Sequence, residues 1–215
     1  IGGTDITSSF SDDVYLSKEI ALGFSFPFYG KAYDRVYISS FGGIAFNNGE
    51  NVYRSPLTET AYGLDGVAYI SAYGYELAFG PESKVEYAKK DGKFVVNYSN
   101  VMALVYDQDY TPISFRIVLS SNGDIEVYYD SYEAASLFQS GSTLYCGIHD
   151  PEDADPLTVT SADVADYWGN NDDPAGDVYK YFTSQTAVRF VAPKASFITG
   201  ITPAYGIINP GDKAT

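Results

Sequence analysis

The clearest pattern in the chain is an alternation of apolar and small side chains that begins at residue 20 and ends at residue 46. Its first half has an apolar residue at every second position, namely Ile20, Leu22, Phe24 and Phe26. A two-residue period is typical of a β-strand that buries one face. Pro27 and Gly30 interrupt the pattern, which resumes from Val36 to Phe46, so the stretch predicts two strands joined by a tight corner. It carries no evident reactive group, and we expect it to be the hub of the core.

A first hairpin is predicted between residues 84 and 98. Asp91-Gly92 is a preferred pair for a two-residue type I′ turn. A turn at that position places Val85 opposite Tyr98, so that the apolar side chains of both strands share one face.

A second hairpin is predicted between residues 113 and 130, and here the pattern selects the loop. A two-residue loop at Asn122-Gly123 would set Leu119 opposite Glu126, which mixes apolar and charged side chains on one face. A three-residue loop at 121–123 sets Leu119 opposite Ile125 instead and leaves one face uniformly apolar. We therefore predict the longer loop, with Gly123 in the left-handed conformation that forms a bulge.

The rest of the chain completes an all-β antiparallel β-sandwich with long acidic loops. Residues 67–79 are apolar on both faces, which predicts a strand buried from both sides and bent at Gly74. The other predicted elements are an edge strand or ordered arm at 1–19, a helix of one or two turns at 131–140, and strands at 144–149, 157–160 and 179–192. We assign residues 1–193 to this domain. Residues 194–215 are rich in Pro and Gly and predict a linker and the start of a second β module, with a terminal strand of the first domain as the alternative.

The charge of the chain limits its partners. Its formal net charge is −15, which argues against binding to nucleic acid or to anionic membrane surfaces, because both would be repelled. No apolar run is long enough to insert into a membrane. A single cysteine excludes an internal disulfide, which is more typical of an exported bacterial or archaeal protein than of a secreted eukaryotic one.

Two residues are the obvious candidates for catalysis, and both favour a structural interpretation. His149 is the only histidine, so any Ser-His-Asp triad would have to use it, but we expect a surface or edge histidine with a local hydrogen bond. Cys146 is in phase with Leu144 and Ile148, which predicts a buried and inert thiol.

The strongest site hypothesis is calcium, because Asp and Asn loops supply the oxygen ligands that this cation requires. The candidate ligands lie in two clusters, Asp150, Asp153 and Asp155 in the first and Asn171, Asp172, Asp173 and Asp177 in the second. Solvated acidic loops are the alternative explanation of both clusters. Trp168 is the candidate ligand-binding residue, because its ring could stack on a sugar, although a Trp that anchors a loop or the core has the same signature.

The order of five segments resembles a known family. They are FPFYG at 26–30, VYISSFGGIAF at 36–46, FRIVLSSNGDIEVYYD at 115–130, YCGIHD at 145–150 and TAVRF at 186–190. Together they resemble a β-sandwich module of bacterial and archaeal cell-surface and secreted proteins, similar to the extracellular domain shared by nidogen and tectorin. Phe41 stands where that family usually has Asn. The tail from residue 194 resembles the start of an immunoglobulin-like repeat.

The resemblance implies a non-catalytic extracellular module of a prokaryotic cell-surface protein that acts in adhesion or surface assembly. Its expected partners are other domains of the same protein, a glycan or neighbouring subunits. A carbohydrate-binding accessory domain of a secreted enzyme, a subunit of an extracellular filament, and a hydrolase that uses paired carboxylates are the alternatives. We expect a binding site in the loops at 47–65 and 150–177, away from the hub.

The calcium hypothesis predicts that chelation with EDTA lowers the melting temperature of the domain, because a cation that binds only the folded state stabilises it. The double substitution of Asp172→Ala and Asp173→Ala should abolish this sensitivity. Thermal unfolding followed by circular dichroism measures both effects, and a melting curve that EDTA leaves unchanged would contradict the hypothesis.

Overall fold

The computed structural model describes residues 2–10, 14–47, 67–74, 77–106, 109–131, 146–149, 157–158 and 186–192. In these residues two antiparallel sheets pack face to face around one main hydrophobic core, which confirms the predicted all-β sandwich. A single 3₁₀ turn, Thr7–Ser9, is the other regular element in the described residues.

The first sheet has seven strands in the described part of the chain. Its path runs through β1 (Thr4–Asp5), β7 (Lys84–Lys90), β8 (Lys93–Tyr106), β9 (Asp109–Ser120), β10 (Ile125–Ser131) and β13 (Thr186–Phe190), and β6 (Leu77–Ala78) pairs with β8 beside this path. The second sheet has six strands there. Its order is β12 (Leu157–Thr158), β11 (Gly147–His149), β5 (Tyr69–Ser71), β4 (Gly43–Ala45), β3 (Lys31–Ser39) and β2 (Ile20–Phe28).

The predicted hairpin between β7 and β8 is confirmed. Lys90 pairs with Lys93 and Val85 with Tyr98, the register that a two-residue turn requires. Asp91 and Gly92 both have positive φ, as a type I′ turn demands.

The predicted three-residue loop between β9 and β10 is also confirmed. Leu119 pairs with Ile125, and two backbone hydrogen bonds close the loop, from the Ser120 N–H to the Asp124 carbonyl at 2.9 Å and from the Gly123 N–H to the Ser120 carbonyl at 2.8 Å. Gly123 has a φ of +93°, in the predicted conformation. The apolar face that selected this loop lies in the core.

Pro27 does not end its strand, contrary to the prediction. β2 continues through Pro27 to Phe28, and Tyr29 and Gly30 form the turn with positive φ at both positions. In the described part of the chain β2 pairs only with β3, so the missing N–H of Pro27 costs no ladder hydrogen bond on the free side.

The segment 67–79 is two strands and not the single strand predicted. β5 belongs to the second sheet and β6 to the first, so the chain changes sheets between these two strands, and Gly74, which lies between them, has a φ of +79°. All residues from 67 to 74 are buried, as the apolar pattern indicated. The burial on both faces arises because the segment passes through the interior from one sheet to the other.

The turn of residues 40–42, between β3 and β4, anchors this crossing. The carbonyl oxygen of Gly42 accepts a hydrogen bond from the Ala72 N–H at 2.9 Å, that of Phe41 from Gly74 at 3.1 Å, and that of Ser40 from Leu77 at 3.2 Å. Gly42 itself has a φ of +74°, so it supplies the left-handed residue of the corner and Phe41 does not have to.

Two tyrosines of the first sheet reach across the core to the same region. The Tyr98 hydroxyl lies 2.8 Å from the carbonyl oxygen of Ser39 and 3.1 Å from that of Gly43. The Tyr129 hydroxyl donates to the carbonyl of Ala72 at 2.6 Å. Burial raises the pKa of Tyr98 well above its usual value, so its hydroxyl remains a donor. These bonds join the first sheet to backbone carbonyl groups at the ends of β3, β4 and β5 in the second sheet.

The remaining predicted elements are found in part. β12 covers the start of the strand predicted at 157–160, and β13 covers the end of the segment predicted at 179–192, with Arg189 exposed. At the N-terminus, β1 pairs with β7 and Leu16 forms a bridge to Ser39, as expected of an ordered arm. The predicted helix at 131–140, apart from the last residue of β10, and the tail at 194–215 lie outside the described residues.

The turn at 40–42 can be tested with two matched glycine substitutions. Gly42 and Gly30 both have a φ of +74°, so alanine at either position incurs the left-handed penalty of about 1 kcal/mol. A Cβ at Gly42 would also lie 2.7 Å from the Cβ of Tyr73 and 2.9 Å from Cζ of Phe115, whereas a Cβ at Gly30 meets nothing within 4 Å. We expect Gly42→Ala to lose roughly 1–3 kcal/mol more unfolding free energy than Gly30→Ala, measured by urea denaturation. Equal losses would contradict the packing role of the turn.

Candidate functional site

None of the predicted metal ligands, and not Trp168, belongs to the described residues. Asp150, Asp153, Asp155, Asn171, Asp172, Asp173, Asp177 and Trp168 all lie outside them, as do most of the loops at 47–65 and 150–177. In the part of the chain that the structure describes, no group of three or more His, Cys, Asp and Glu side chains could hold a metal ion. The calcium and sugar hypotheses therefore stay predictions.

His149 is buried, and the expectation of a surface or edge histidine is wrong. It is 2% exposed, because β11 pairs with β5 and places His149 beside the buried Tyr69. Its Nδ1 lies 2.8 Å from the carbonyl oxygen of Val67, so the hydrogen bond joins two distant segments of the chain and is not the local one expected. Since a carbonyl oxygen only accepts, Nδ1 carries the proton, and the ring is held in place by the second sheet.

Cys146 is the buried, inert thiol that its position in the pattern predicts. It has no exposed surface, and burial raises the pKa of the thiol to about 12. The thiolate is the nucleophilic form of cysteine, so this residue is unreactive near neutral pH.

The described residues do form a cleft, beside the start of β7 in the first sheet. Its volume is about 340 Å³, within the range of small-ligand sites. It is lined by the loop that joins β6 to β7 and by side chains of β8 and β9, namely Gly80, Pro81, Glu82, Ser83, Asn100, Met102 and Pro112. We call this feature the Pro81–Pro112 cleft.

Ser83 fixes the loop side of the cleft. Its hydroxyl accepts a hydrogen bond from the Gly80 N–H at 2.9 Å and donates one to the carbonyl of Asn100 at 2.6 Å. The Ser83 N–H donates to the carbonyl of Gly80 at 3.0 Å. One side chain thus closes the turn and ties it to β8, so the loop is held against the sheet.

A β-bulge in β8 shapes the other side. The register between β8 and β9 shifts between Tyr98 and Val101, and Asn100 has a φ of +49°. Asn tolerates the left-handed conformation better than most residues. The Asn100 N–H donates to the hydroxyl of Ser114 at 3.0 Å, which holds the bulge in place. Bulges commonly redirect side chains next to binding sites.

The walls of the cleft are apolar and its rim is polar. Met102 and Pro112 are cross-strand partners on β8 and β9, and Pro81 lies in the loop. Within the described residues, the Glu82 carboxylate and the Asn100 side-chain amide have no hydrogen bond or ion pair. Both residues are exposed, so the cleft has apolar walls and two solvent-accessible polar groups at its rim.

Sequence analysis did not single out this cleft. Two signals for it are visible in retrospect, both within apolar runs that otherwise predict continuous strands. Asn100 follows Ser99 in the first run, and Pro112 falls inside the second, where a proline indicates a bulge or a free strand side. Neither signal predicts that Met102, Pro112 and the loop at 79–83 lie side by side, because their proximity depends on the pairing of β6, β8 and β9.

A buried carboxylate clamps the end of β13, away from the cleft. Asp124 is 7% exposed and accepts hydrogen bonds from Nη2 of Arg189 at 2.6 Å and from the N–H of Ala192 at 3.1 Å. The Arg189 guanidinium, together with the Ala192 N–H, holds the pKa of Asp124 below its usual value. The clamp fixes where the chain leaves the first sheet.

The clamp predicts a pH dependence of stability. Because the pKa of Asp124 is lower in the folded than in the unfolded state, its contribution is present above the unfolded pKa of about 4 and is lost as the pH falls below it. Asp124→Asn should flatten the loss of unfolding free energy between about pH 5 and pH 2, measured by urea denaturation. Asp91→Asn, which removes one charge from an exposed turn that asparagine suits equally well, is the control. A parent-like slope for Asp124→Asn would contradict the role of the clamp.

Comparison with known proteins adds the family. A family model described as NIDO-related, that is nidogen-related, matches residues 1–184. No curated protein and no solved structure gives a significant match. In the described residues the structure contains no helix that is both long and apolar enough to span a membrane. Since the family model covers most of the chain, the chain belongs to the NIDO-related family, a non-catalytic, extracellular type of module.

Proposed function

We propose that the chain is a binding module of a prokaryotic cell-surface protein, and that it mediates adhesion or surface assembly through the Pro81–Pro112 cleft. The observation that carries the proposal is the composition of the cleft. It combines the apolar walls of Met102, Pro81 and Pro112 with a carboxylate and an amide that have no partner among the described residues. Such a mixture is typical of sites that bind by shape and are made specific by a few polar contacts.

The positions of the potentially catalytic side chains favour a binding function over a catalytic one. The Nδ1 of His149 is hydrogen-bonded to the backbone carbonyl of Val67, and Cys146 is a buried thiol whose pKa is raised. Among the described residues that line the cleft, Glu82 is the one carboxylate. Glycoside hydrolysis generally requires two, so the cleft favours binding over the paired-carboxylate alternative.

The rigidity of the cleft also favours a binding role. Its loop is tied to β8 by the Ser83 hydroxyl, and its bulge is held by the Ser114 hydroxyl. A site that is already ordered before binding loses less conformational entropy when the ligand binds. The cleft is therefore suited to contacts that form and persist at a cell surface.

Strand addition at β2, one route to the filament alternative, is disfavoured by the edge itself. Pro27 lacks an N–H, and Gly23 lies within the part of the β2–β3 pairing whose register is irregular, with a φ of +88°. Proline and bulges on an edge strand hinder pairing with another chain. We therefore place the contact surface at the cleft and not at this edge.

The test is adhesion of domain-coated beads to a panel of bacterial and archaeal cell envelopes. We expect saturable retention of the parent on at least one envelope and at least a tenfold loss for Met102→Lys, which places a long charged side chain in the cleft. Val95→Lys is the matched control, since Val95 is also a half-buried apolar residue of β8 but does not line the cleft.

Three outcomes would contradict the proposal. They are retention of the parent no better than that of uncoated beads, equal retention of the parent and Met102→Lys, and equal loss in both lysine variants. Circular dichroism melting curves of the two variants separate a loss of binding from a loss of folding. A glycan array with the same proteins distinguishes a sugar ligand from a protein ligand, and a sugar ligand would favour the carbohydrate-binding alternative.

A further inference from the structure

We infer that the ligand of the Pro81–Pro112 cleft is a lysine side chain on the surface of a partner protein. The inference rests on the proposed binding function and identifies the chemistry of the ligand. Three observations carry it: the uncompensated carboxylate at the rim, the aliphatic character of the walls, and the charge of the chain.

The carboxylate at the rim of the cleft is exposed and therefore accessible to a cation. Glu82 lines the cleft, and no ion pair to it exists among the described residues. The nearest cation along the chain, Lys84, is already paired with Glu86 at 2.7 Å. A ligand that covered Glu82 without a positive charge would desolvate the carboxylate without compensation, which is costly. Anionic ligands such as phosphate groups would be repelled.

The walls of the cleft favour a ligand with a flexible aliphatic chain over a ligand that binds by stacking on aromatic rings. Met102, Pro81 and Pro112 present methylene and thioether groups, and the residues that line the cleft include no aromatic ring. Arginine prefers planar pairs of acceptors and aromatic stacking partners, and quaternary ammonium groups and sugars also rely on aromatic rings. The four-carbon stem of lysine needs only apolar contact along its length, with its head in a polar environment.

The rim can then hold the ammonium group. An ammonium carries three donors, and both Glu82 and the side-chain oxygen of Asn100 are free acceptors within the described residues. The Ser83 hydroxyl already donates to Asn100 and accepts from Gly80, so it holds the site in shape without competing for the ligand.

The charge of the whole chain adds a long-range attraction. A net charge of −15 raises the local concentration of cationic partners around the domain. A metal cation is a poorer fit, because calcium requires six to eight oxygen ligands and the side chains that line the cleft supply far fewer. A lysine on a partner protein matches all three features, because its charge complements that of the chain, its methylene groups match the apolar walls, and its ammonium group can donate to the acceptors at the rim.

Nuclear magnetic resonance titration with short peptides tests this assignment on the full domain. The probes are three capped tetrapeptides, Gly-X-Gly-Gly, in which X is lysine, norleucine or Nε-acetyl-lysine. Norleucine keeps the apolar stem without the amine, and acetylation removes the charge. We expect the lysine peptide to shift the backbone amide signals of Gly80, Ser83 and Met102 with a dissociation constant in the millimolar range, about 4 kcal/mol of binding free energy.

The expected pattern among variants is specific. Glu82→Gln should weaken the lysine peptide about three- to tenfold and remove most of the salt dependence of its binding, because it deletes the charge and keeps the shape. Asp91→Asn is the matched control on the same sheet, since Asp91 is also an exposed carboxylate but does not line the cleft, and it should bind like the parent. The norleucine and acetyl-lysine peptides should bind at least threefold more weakly than the lysine peptide.

Several results would overturn the inference. They are equal binding of the lysine and norleucine peptides, an unchanged affinity in Glu82→Gln, an equal loss in Asp91→Asn, and the absence of any shift at the cleft. The bead assay keeps the two proposals separate. If Met102→Lys abolishes adhesion but the lysine peptide does not bind, the cleft has another ligand and only the inference about lysine fails.

Discussion

The fold depends on the hydrogen bonds that converge on the turn between β3 and β4. Three successive carbonyl groups, those of residues 40–42, accept backbone N–H groups from the segment that crosses between the sheets. The Tyr98 hydroxyl reaches the carbonyls on both sides of this turn from the opposite sheet. Buried carbonyl groups are costly to leave unpaired, so the turn and the segment that follows β5 stabilise each other, and Tyr98 links the strands on both sides of the turn to the opposite sheet.

This constraint also positions the cleft. The crossing segment emerges from the core as β6, which pairs with β8 and leads directly into the loop at 79–83. The Ser83 hydroxyl then ties that loop to the bulge at Asn100. The cleft is therefore connected to the interior through a short series of hydrogen bonds. At another part of the first sheet, Asp124 fixes the end of β13 through Arg189 and the Ala192 N–H, so the point at which the chain leaves the sheet is also fixed.

The elements that were predicted correctly are those specified by neighbours in the chain. The Asp91-Gly92 turn and the loop at 121–123 follow from local turn preferences together with the apolar faces of their own strands. The errors occur where distant segments decide. The number of strands within 67–79 depends on which sheet each half of the segment joins. Whether β2 continues through Pro27 depends on whether that strand has a neighbour on one side or on both, and in the described residues it has one neighbour. The burial of His149 depends on the pairing of β11 with β5.

By itself the sequence determined the class of fold, the two hairpins with their registers, the inert position of Cys146, and the acidic character that disfavours nucleic acid and anionic membranes as partners. These follow from composition and from alternation over short distances, for which local physics is sufficient. The tertiary structure decided where the chain changes sheets, how His149 is buried and where the cleft lies. The cleft combines a loop, a bulge in β8 and a proline of β9, and only the pairing of three strands brings these separate segments together.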